Sequence, residues 1–195
     1  MWFIKKWFIK KILLISMLLT LAACSIGGSK STRFYAISPI ASQAQYHRSH
    51  LRIGVGPVQI PRLLRRPQIV IRKNNTELDL VEAHQWGGSL REDLIHAFEE
   101  NLAILLDTEN VETYPWKHSF NPNYQVRINI EQLDGDLGKT VTLKARWRLL
   151  QHSKILQVKH AVIHVPVQGN SFNAYVKAQS DAVYRLSQEI AAQLH

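Results

Sequence analysis

The chain has 195 residues, of which 46% are hydrophobic and 20% are charged. This length allows one globular domain with a short appendage, so a multidomain protein is excluded, and the composition excludes a wholly disordered chain. Lysine and arginine outnumber the acids by 24 to 15, and the formal charge of +9 raises nucleic acid or an anionic membrane as a partner. The single cysteine, Cys24, excludes an intramolecular disulfide and a CxxC redox pair.

Residues 1–23 have the pattern of a signal peptide. Four lysines and no acid lie within residues 1–11, and an apolar run of 12 residues follows from Ile12 to Ala23. A charged segment before a short apolar one is typical of a secretory signal, whereas a membrane-spanning helix needs about 20 apolar residues. A retained transmembrane anchor is therefore the weaker interpretation.

The apolar run ends in Leu21-Ala22-Ala23-Cys24, which resembles the lipobox of bacterial lipoproteins. The resemblance implies cleavage before Cys24, a diacylglycerol group on its thiol and an acyl chain on its new amino terminus, with no other cofactor. The alternative is an ordinary secretory signal with an incidental cysteine, but the Ala-x-Ala-like site that it needs is poorly met. By the usual sorting rule for such lipoproteins, Ser25 in place of an aspartate favours the outer membrane.

Removal of the signal peptide changes the interpretation of the charge. Its four lysines leave with it, so the formal charge falls from +9 to +5. The protein is then expected in the periplasm, attached to the outer membrane, where nucleic acid is not a normal partner. Residues 24–32 form the lipidated cysteine and a tether that spans no more than about 30 Å, and residues 33–195 form the periplasmic domain.

The first half of the domain is predicted to form short strands followed by a helix. Alternating and β-branched runs predict strands over 33–39, 51–60, 67–72 and 77–83, with a turn at Asn74-Asn75 and a bulge or close approach at Gly54 and Gly56. The period then changes. A capping box at Ser89 to Glu92, followed by leucines spaced three or four residues apart, predicts a helix over 89–106.

The second half predicts a meander of strands and a final helix. Strands are expected over 111–116, 124–130, 141–149 and 155–167, with a hairpin turn at Asp134-Gly135-Asp136 and Gly138 and a bulge near His160-Ala161. An apolar stripe predicts a helix over 172–194. The expected fold is a single two-layer α+β domain, with two long helices packed on a mainly antiparallel sheet.

Motifs for catalysis or metal binding are weak. The chain has no GxSxG, and its only cysteine is the presumed lipid site, so no catalytic residue is assigned. His160 and His164 lie about 13 Å apart on a strand, too far to share one ion, and no metal site is expected. Asp134 and Asp136 lack the spacing of a calcium loop. Gly54 and Gly56 lack the third glycine of a dinucleotide fingerprint.

The densest basic run of the domain lies between Ile60 and Arg72, and it combines proline and arginine where a plain strand needs neither. One interpretation is a solvated loop and strand face, which is what charge runs usually form. The other is a contact surface for an acidic protein or anionic lipid head groups. The candidate contact residues are Ile60, Pro61, Arg62, Arg65, Arg66, Pro67 and Arg72.

These segments together resemble the PqiC/YmbA-type family of ABC-transport auxiliary lipoproteins, over nearly all of the domain. The matching stretches are Phe34-Tyr35 with Ser38-Pro39, VGPVQIPRLLRRPQIVIR over 55–72, QWGGSL over 85–90, FEENLAILL over 98–106, YPW over 114–116 and YQVRINIEQLDG over 124–135. One departure lies at Leu64-Arg65-Arg66-Pro67, where members often have Leu-Asp-Arg-Pro, so a contact made by that acid in relatives does not carry over.

The resemblance implies a non-enzymatic outer-membrane lipoprotein. It would dock a periplasmic MCE-domain protein of an intermembrane lipid transport system to the outer membrane and its phospholipid, and it would act as a homo-oligomer. A first alternative is a carrier that holds a lipid or apolar ligand in a cavity lined by Trp86, Trp116 or Trp147. A second is an enzyme using Glu99 and Glu100, but adjacent helical residues point about 100° apart and share a site poorly.

Overall fold

The computed structural model describes Trp7 and residues 31–195. Apart from Trp7, the predicted signal peptide, Cys24 and most of the predicted tether lie outside the described residues. Eight strands and two helices form the domain: β1 Arg33–Tyr35, β2 Ile53–Gln59, β3 Gln68–Arg72, β4 Leu78–Trp86, α1 Leu90–Leu106, β5 Val111–Thr113, β6 Tyr124–Asp136, β7 Thr140–Gln151, β8 Lys154–Pro166 and α2 Phe172–Ala191. Among these residues no helix is both long and apolar enough to cross a bilayer.

The strands form two mixed sheets, which confirms the expected α+β class. The larger sheet has the order β5-β2-β6-β7-β8, and the smaller one has the order β1-β4-β3. The strands β6, β7 and β8 are antiparallel, but β2 runs parallel to both β5 and β6. The path from β2 to β5 passes through α1, and a crossover of this kind is what a parallel pairing requires.

Both helices pack on one face of the larger sheet. Helix α1 lies against β2 and β5, and helix α2 lies against β7, β8 and α1. Alternate residues of β6 and β7 point toward the helices, and Ile128 lies opposite Trp147 in the buried layer. Strand β2 is almost entirely buried, which explains why its sequence is apolar without alternation.

Local signals place the helix starts and the turns. Ser89 caps α1 by accepting a hydrogen bond from the Glu92 amide, as the capping box predicts, and Ser171 caps α2 in the same way. Asn74 makes the predicted turn between β3 and β4, since its side-chain oxygen accepts from the amides of Thr76 and Glu77. The turn between β6 and β7 lies later than predicted, over 137–139, with Gly138 at φ 78°.

The bulge predicted near His160 is wrong. Strands β7 and β8 pair without a shift from Arg148↔Val158 onward, and the only irregularity between these two strands lies between Leu149 and Leu150. The first half of β8 is exposed on both faces, so its side chains do not alternate between buried and polar. Exposure, and not an extra residue, accounts for the poor alternation in this part of the sequence.

Candidate docking surface

The segment after β2 forms a tight, exposed basic turn. Pro61 precedes one 3-10 turn, Arg62–Leu64, whose Leu64 side chain is buried in the core. The Arg65 Nε donates to the Ile60 carbonyl oxygen at 3.2 Å, and the Arg66 Nε donates to the Leu63 carbonyl oxygen at 3.0 Å. These bonds hold two guanidinium groups in place on the outside of the turn, so little ordering remains for a partner to induce.

The predicted contact residues divide into two groups. Arg62, Arg65 and Pro67 are exposed, and Pro61 and Arg66 are partly exposed. Ile60, by contrast, is only 3% exposed and packs in the core. Arg72 lies in β3 and turns inward to an ion pair. We therefore define the docking surface as residues 61–67 and assign structural roles to the two remaining positions.

Arg72 pairs with Asp134 of β6. Its Nε lies 2.7 Å from one carboxylate oxygen, and its Nη2 lies 2.9 Å from the other, which is a bidentate geometry. The hydrogen bond to Asp134 raises the pKa of Arg72. The Asp134 side chain is only 2% exposed, against 27% for Arg72. Asp134 was predicted in a hairpin turn, and that placement is wrong because the residue lies within β6, where it receives the arginine.

Tyr175 of α2 closes the same junction. Its hydroxyl lies 3.0 Å from the Val70 carbonyl oxygen and 3.2 Å from the Gly135 carbonyl oxygen, so one side chain connects β3, β6 and α2. Burial raises the pKa of Tyr175 well above its usual value, and the hydroxyl stays protonated as a donor. The small sheet and the large sheet are thereby joined at β3 and β6.

A groove of about 440 Å³ lies between the basic turn and the start of α1. Its walls are Ile60, Leu64, Arg65, Arg66, Pro67, Gly88, Ser89, Leu90 and Arg91. Sequence reasoning missed Arg91 as a member of this surface. Its Nε donates to the Val58 carbonyl oxygen at 2.9 Å, and its Nη1 lies 2.7 Å from Glu92. Arg91 lies within the capping box, between Ser89 and Glu92, on the first turn of α1. This position was the sequence signal that could have placed Arg91 on the surface.

The tryptophans named for a carrier cavity have different environments. Trp147 is fully buried, and Trp86 is 4% exposed in the core. Trp116 covers Gly54 so closely that a Cβ there would lie 2.6 Å from the indole, and this is the close approach predicted at that glycine. Trp116 also lines a small open groove of about 220 Å³. Thus two of the three fill the core.

The carboxylates considered for catalysis lie in an open groove. Glu99 and Glu100 both line a groove of about 870 Å³, together with Asp107 and Glu109. The angle between adjacent helical residues therefore does not keep them out of a shared groove. Partial burial raises the pKa of Glu99.

His160 and His164, which are predicted to lie too far apart to share one ion, make separate polar contacts. His160 lies 3.1 Å from Glu131, and His164 lies 3.0 Å from the Thr142 hydroxyl. Within residues 31–195, no group of three histidine, cysteine, aspartate or glutamate side chains is arranged to hold a metal ion.

The fold and the sequence match known proteins. An uncharacterized protein of known crystal structure superposes with a TM-score of 0.71 at 14% identity, over 85% of this chain and 99% of the other. A Xanthomonas campestris protein of the DUF330 family superposes with a TM-score of 0.62 at 15% identity, over 83% of this chain and 90% of the other. These likenesses show the fold alone. No curated protein matches the chain significantly.

The family assignment comes from the sequence. Residues 35–191 match the family described as the ABC-type transport auxiliary lipoprotein component, and the match runs from the last residue of β1 to the end of α2. A lipoprotein of this family is a membrane-anchored component of the cell envelope. The chain therefore belongs to the ABC-type transport auxiliary lipoproteins, of the PqiC/YmbA type.

Proposed function

We propose that the protein is an outer-membrane lipoprotein that docks an MCE/ABC-type intermembrane lipid transport system to the outer membrane. It acts by contact and assembly, as a homo-oligomer, and performs no catalysis. The observation that carries the proposal is the docking surface, where Arg62, Arg65 and Arg66 project from a rigid turn. The lipobox at Cys24 and the family membership support an anchor at one end and a transport partner at the other.

The docking surface favours an acidic partner. Arg65 stands where relatives often carry an aspartate, so this chain presents one more cation and one fewer acid at the turn. The start of α1 lies beside it and contributes the positive end of the helix dipole. The expected partner is an acidic patch on a periplasmic MCE-domain protein, because complementary charge accelerates encounter and selects the partner.

In-cell photocrosslinking tests the proposal. A photoreactive residue at Arg62, Arg65 or Pro67 should crosslink to an MCE-domain protein, identified by mass spectrometry. Lys177, which is exposed on α2, is the control position. Crosslinks to the MCE protein from Lys177 but from none of the three turn positions would move the interface elsewhere. Crosslinks from the turn mainly to phospholipid would favour the carrier function instead.

Charge reversal tests the chemistry of the surface. Arg65→Glu with Arg66→Glu should weaken partner capture, but it also removes two hydrogen bonds to the turn backbone and can lower the melting temperature. Because both arginines also bond to the turn backbone, Arg62→Glu is the sharper variant. Its guanidinium makes no hydrogen bond within residues 31–195, so only the charge changes. Unchanged capture by all of these variants would exclude residues 61–67 as the interface.

A further inference from the structure

The outer face of the large sheet, turned away from the helices, carries a cluster of arginines. Arg127 of β6 lies directly opposite Arg148 of β7, and Arg146 lies two residues from Arg148 on the same face. All three are exposed. They line a hollow of about 250 Å³ together with Pro57, Gln59, Ile128 and Asn129. We call these three residues the arginine cluster.

The arginine cluster is only partly neutralised by its surroundings. Arg127 donates one hydrogen bond, to the neutral side-chain oxygen of Gln125 at 3.3 Å. The Arg148 guanidinium has no hydrogen-bond or ion-pair partner among residues 31–195. Arg146 lies 3.6 Å from Glu131, a carboxylate that it shares with His160. Like charges opposite each other destabilise a strand pair, so this arrangement costs stability in the isolated domain.

Exposed apolar side chains lie beside the arginine cluster on the edge strand β8, where His160 separates Val158 from Val162 and a register shift separates Val158 from Ile155. Val158 lies opposite Arg148, Val162 lies opposite Lys144, and Ile155 lies opposite Leu150. These three side chains are 56%, 48% and 50% exposed. Directly opposed residues of antiparallel strands point to the same face, so cations and exposed apolar side chains lie side by side on one surface.

We propose that this face binds the anionic phospholipid surface of the membrane to which the protein is anchored. The guanidinium groups of the arginine cluster would bond to lipid phosphates, for which arginine has matching geometry. The side chains of Ile155, Val158 and Val162 would enter the boundary between head groups and acyl chains, as the apolar face of an interfacial element does. The surface is separate from residues 61–67, and the proposal does not depend on an MCE partner.

Two observations favour a bilayer over a second copy of the chain. Two copies joined through this face would bring their arginine clusters together, and the repulsion would add to the cost already present within each cluster. The family is a lipoprotein family, so a bilayer lies within reach of the domain throughout its life. A phospholipid leaflet supplies anionic phosphate and apolar surface together, which is the pairing that this face presents.

The test uses the full lipidated protein in vesicles. Cys24 is blocked by lipid, so Val158→Cys provides one site for an environment-sensitive fluorophore. Nitroxide-labelled lipids should quench this fluorophore in vesicles of phosphatidylcholine with phosphatidylglycerol, and much less in phosphatidylcholine alone. Arg127→Gln with Arg148→Gln should abolish more than half of the quenching without lowering the melting temperature, since it removes a like-charge pair. Arg127→Lys with Arg148→Lys should retain most of it.

The matched control is Lys177→Gln with Arg185→Gln, which removes two exposed charges of α2, on the opposite side of the sheet, and should leave the quenching unchanged. Equal quenching in both vesicle types, or full quenching in the Arg127→Gln/Arg148→Gln variant, would overturn the proposal. So would loss of quenching on adding inorganic phosphate but not on adding chloride to the same ionic strength, which would indicate a site for free phosphate. If the quenching increased only when energy transfer between labelled copies of the protein also increased, the result would indicate self-association and not a membrane contact. The docking proposal is tested separately, by crosslinking from residues 61–67 to the partner. A negative quenching result would therefore refute the membrane contact and not the docking proposal.

Discussion

Arg72 and Asp134 form an ion pair in which the two partners differ in burial, and this asymmetry decides the effect of substitution. Asp134 is almost fully buried, whereas Arg72 retains contact with solvent. Removing the arginine leaves a buried carboxylate whose remaining side-chain partner is the Gln132 amide at 2.7 Å. A buried charge without its counter-ion is far more costly than the pair is stabilising.

We predict that Arg72→Met lowers the free energy of unfolding by about 3 kcal/mol or more. Urea unfolding followed by tryptophan fluorescence measures it. Arg72→Met combined with Asp134→Leu is the control, and it should recover much of the loss because both charges are gone. A loss below about 1 kcal/mol for the single variant would mean that water reaches Asp134 in the folded protein.

Trp147 is the largest fully buried side chain of the core, and its position tests the face assigned to β7. We predict that Trp147→Ala costs about 3 to 5 kcal/mol, because it removes apolar contacts and leaves a cavity. Thermal or urea unfolding measures the change. Val158→Ala on the outward face is the control, with an expected change within about 0.5 kcal/mol. A loss below about 1 kcal/mol for Trp147→Ala would mean that the strand face is assigned backwards.

Among the elements, β2 depends on a glycine that the turn after β5 covers. Gly54 lies beneath the Trp116 indole, and a Cβ at this position would meet ring atoms at 2.6 and 2.8 Å. The contact involves the far end of one side chain and not backbone, so the ring must shift to admit a methyl group. The cost of substitution at Gly54 should therefore depend on Trp116.

We predict that Gly54→Ala destabilises the domain by about 1 to 3 kcal/mol in the natural chain and by clearly less in a Trp116→Leu background. A double-mutant cycle from urea unfolding measures the coupling between the two residues. Additive effects would show that the indole does not restrict Gly54. The cost would then have to come from the backbone of β2.

Strand β8 shows how exposure changes the sequence pattern of an element. Its second half alternates between buried and exposed residues where it covers α2, and its first half carries exposed apolar side chains on an open edge. Long exposed apolar edges are normally avoided because they invite association. Their presence beside the arginine cluster is the reason we assign this face a contact with lipid.

For the whole molecule, the lipid anchor predicted at Cys24 would decide to which membrane the domain is attached. We predict that Cys24→Ala abolishes labelling of the protein with radioactive palmitate in cells. The substitution removes the thiol that carries the diacylglycerol group. Because the signal peptide is then not cleaved, the amino group that carries the further acyl chain is not released. Ser25→Asp is the matched control, and it should keep the label while moving the protein toward the inner membrane fraction. Label that persists in Cys24→Ala would refute lipidation at this residue.

Much of the fold was predictable because its signals are local. The start of α1 follows from a capping box of four residues, and the β6–β7 pair follows from strict alternation over neighbouring stretches. Both predictions are confirmed. The family follows from motifs spread along the domain, and it is confirmed over residues 35–191. The lipid anchor at Cys24 stays a prediction, since it lies outside the described residues.

The candidate site was predictable only in part. Residues 61–67 lie together on the surface as expected, but the burial of Ile60 and the pairing of Arg72 could not be foreseen. An arginine in a basic run shows no sign of a carboxylate 62 residues away that comes next to it only after folding. The outward register of Arg127, Arg148 and Val158 was equally hidden.

The sequence by itself determined the helix start, the long hairpin and the family, and it predicts the signal segment, because each rests on the order of residues close together in the chain. Tertiary structure decided the division into two sheets, the parallel pairing of β2, the partner of Arg72 and the placing of cations beside apolar side chains on the outer face. These features depend on contacts between residues far apart in the chain. Their energies exist only once the core has brought the strands together.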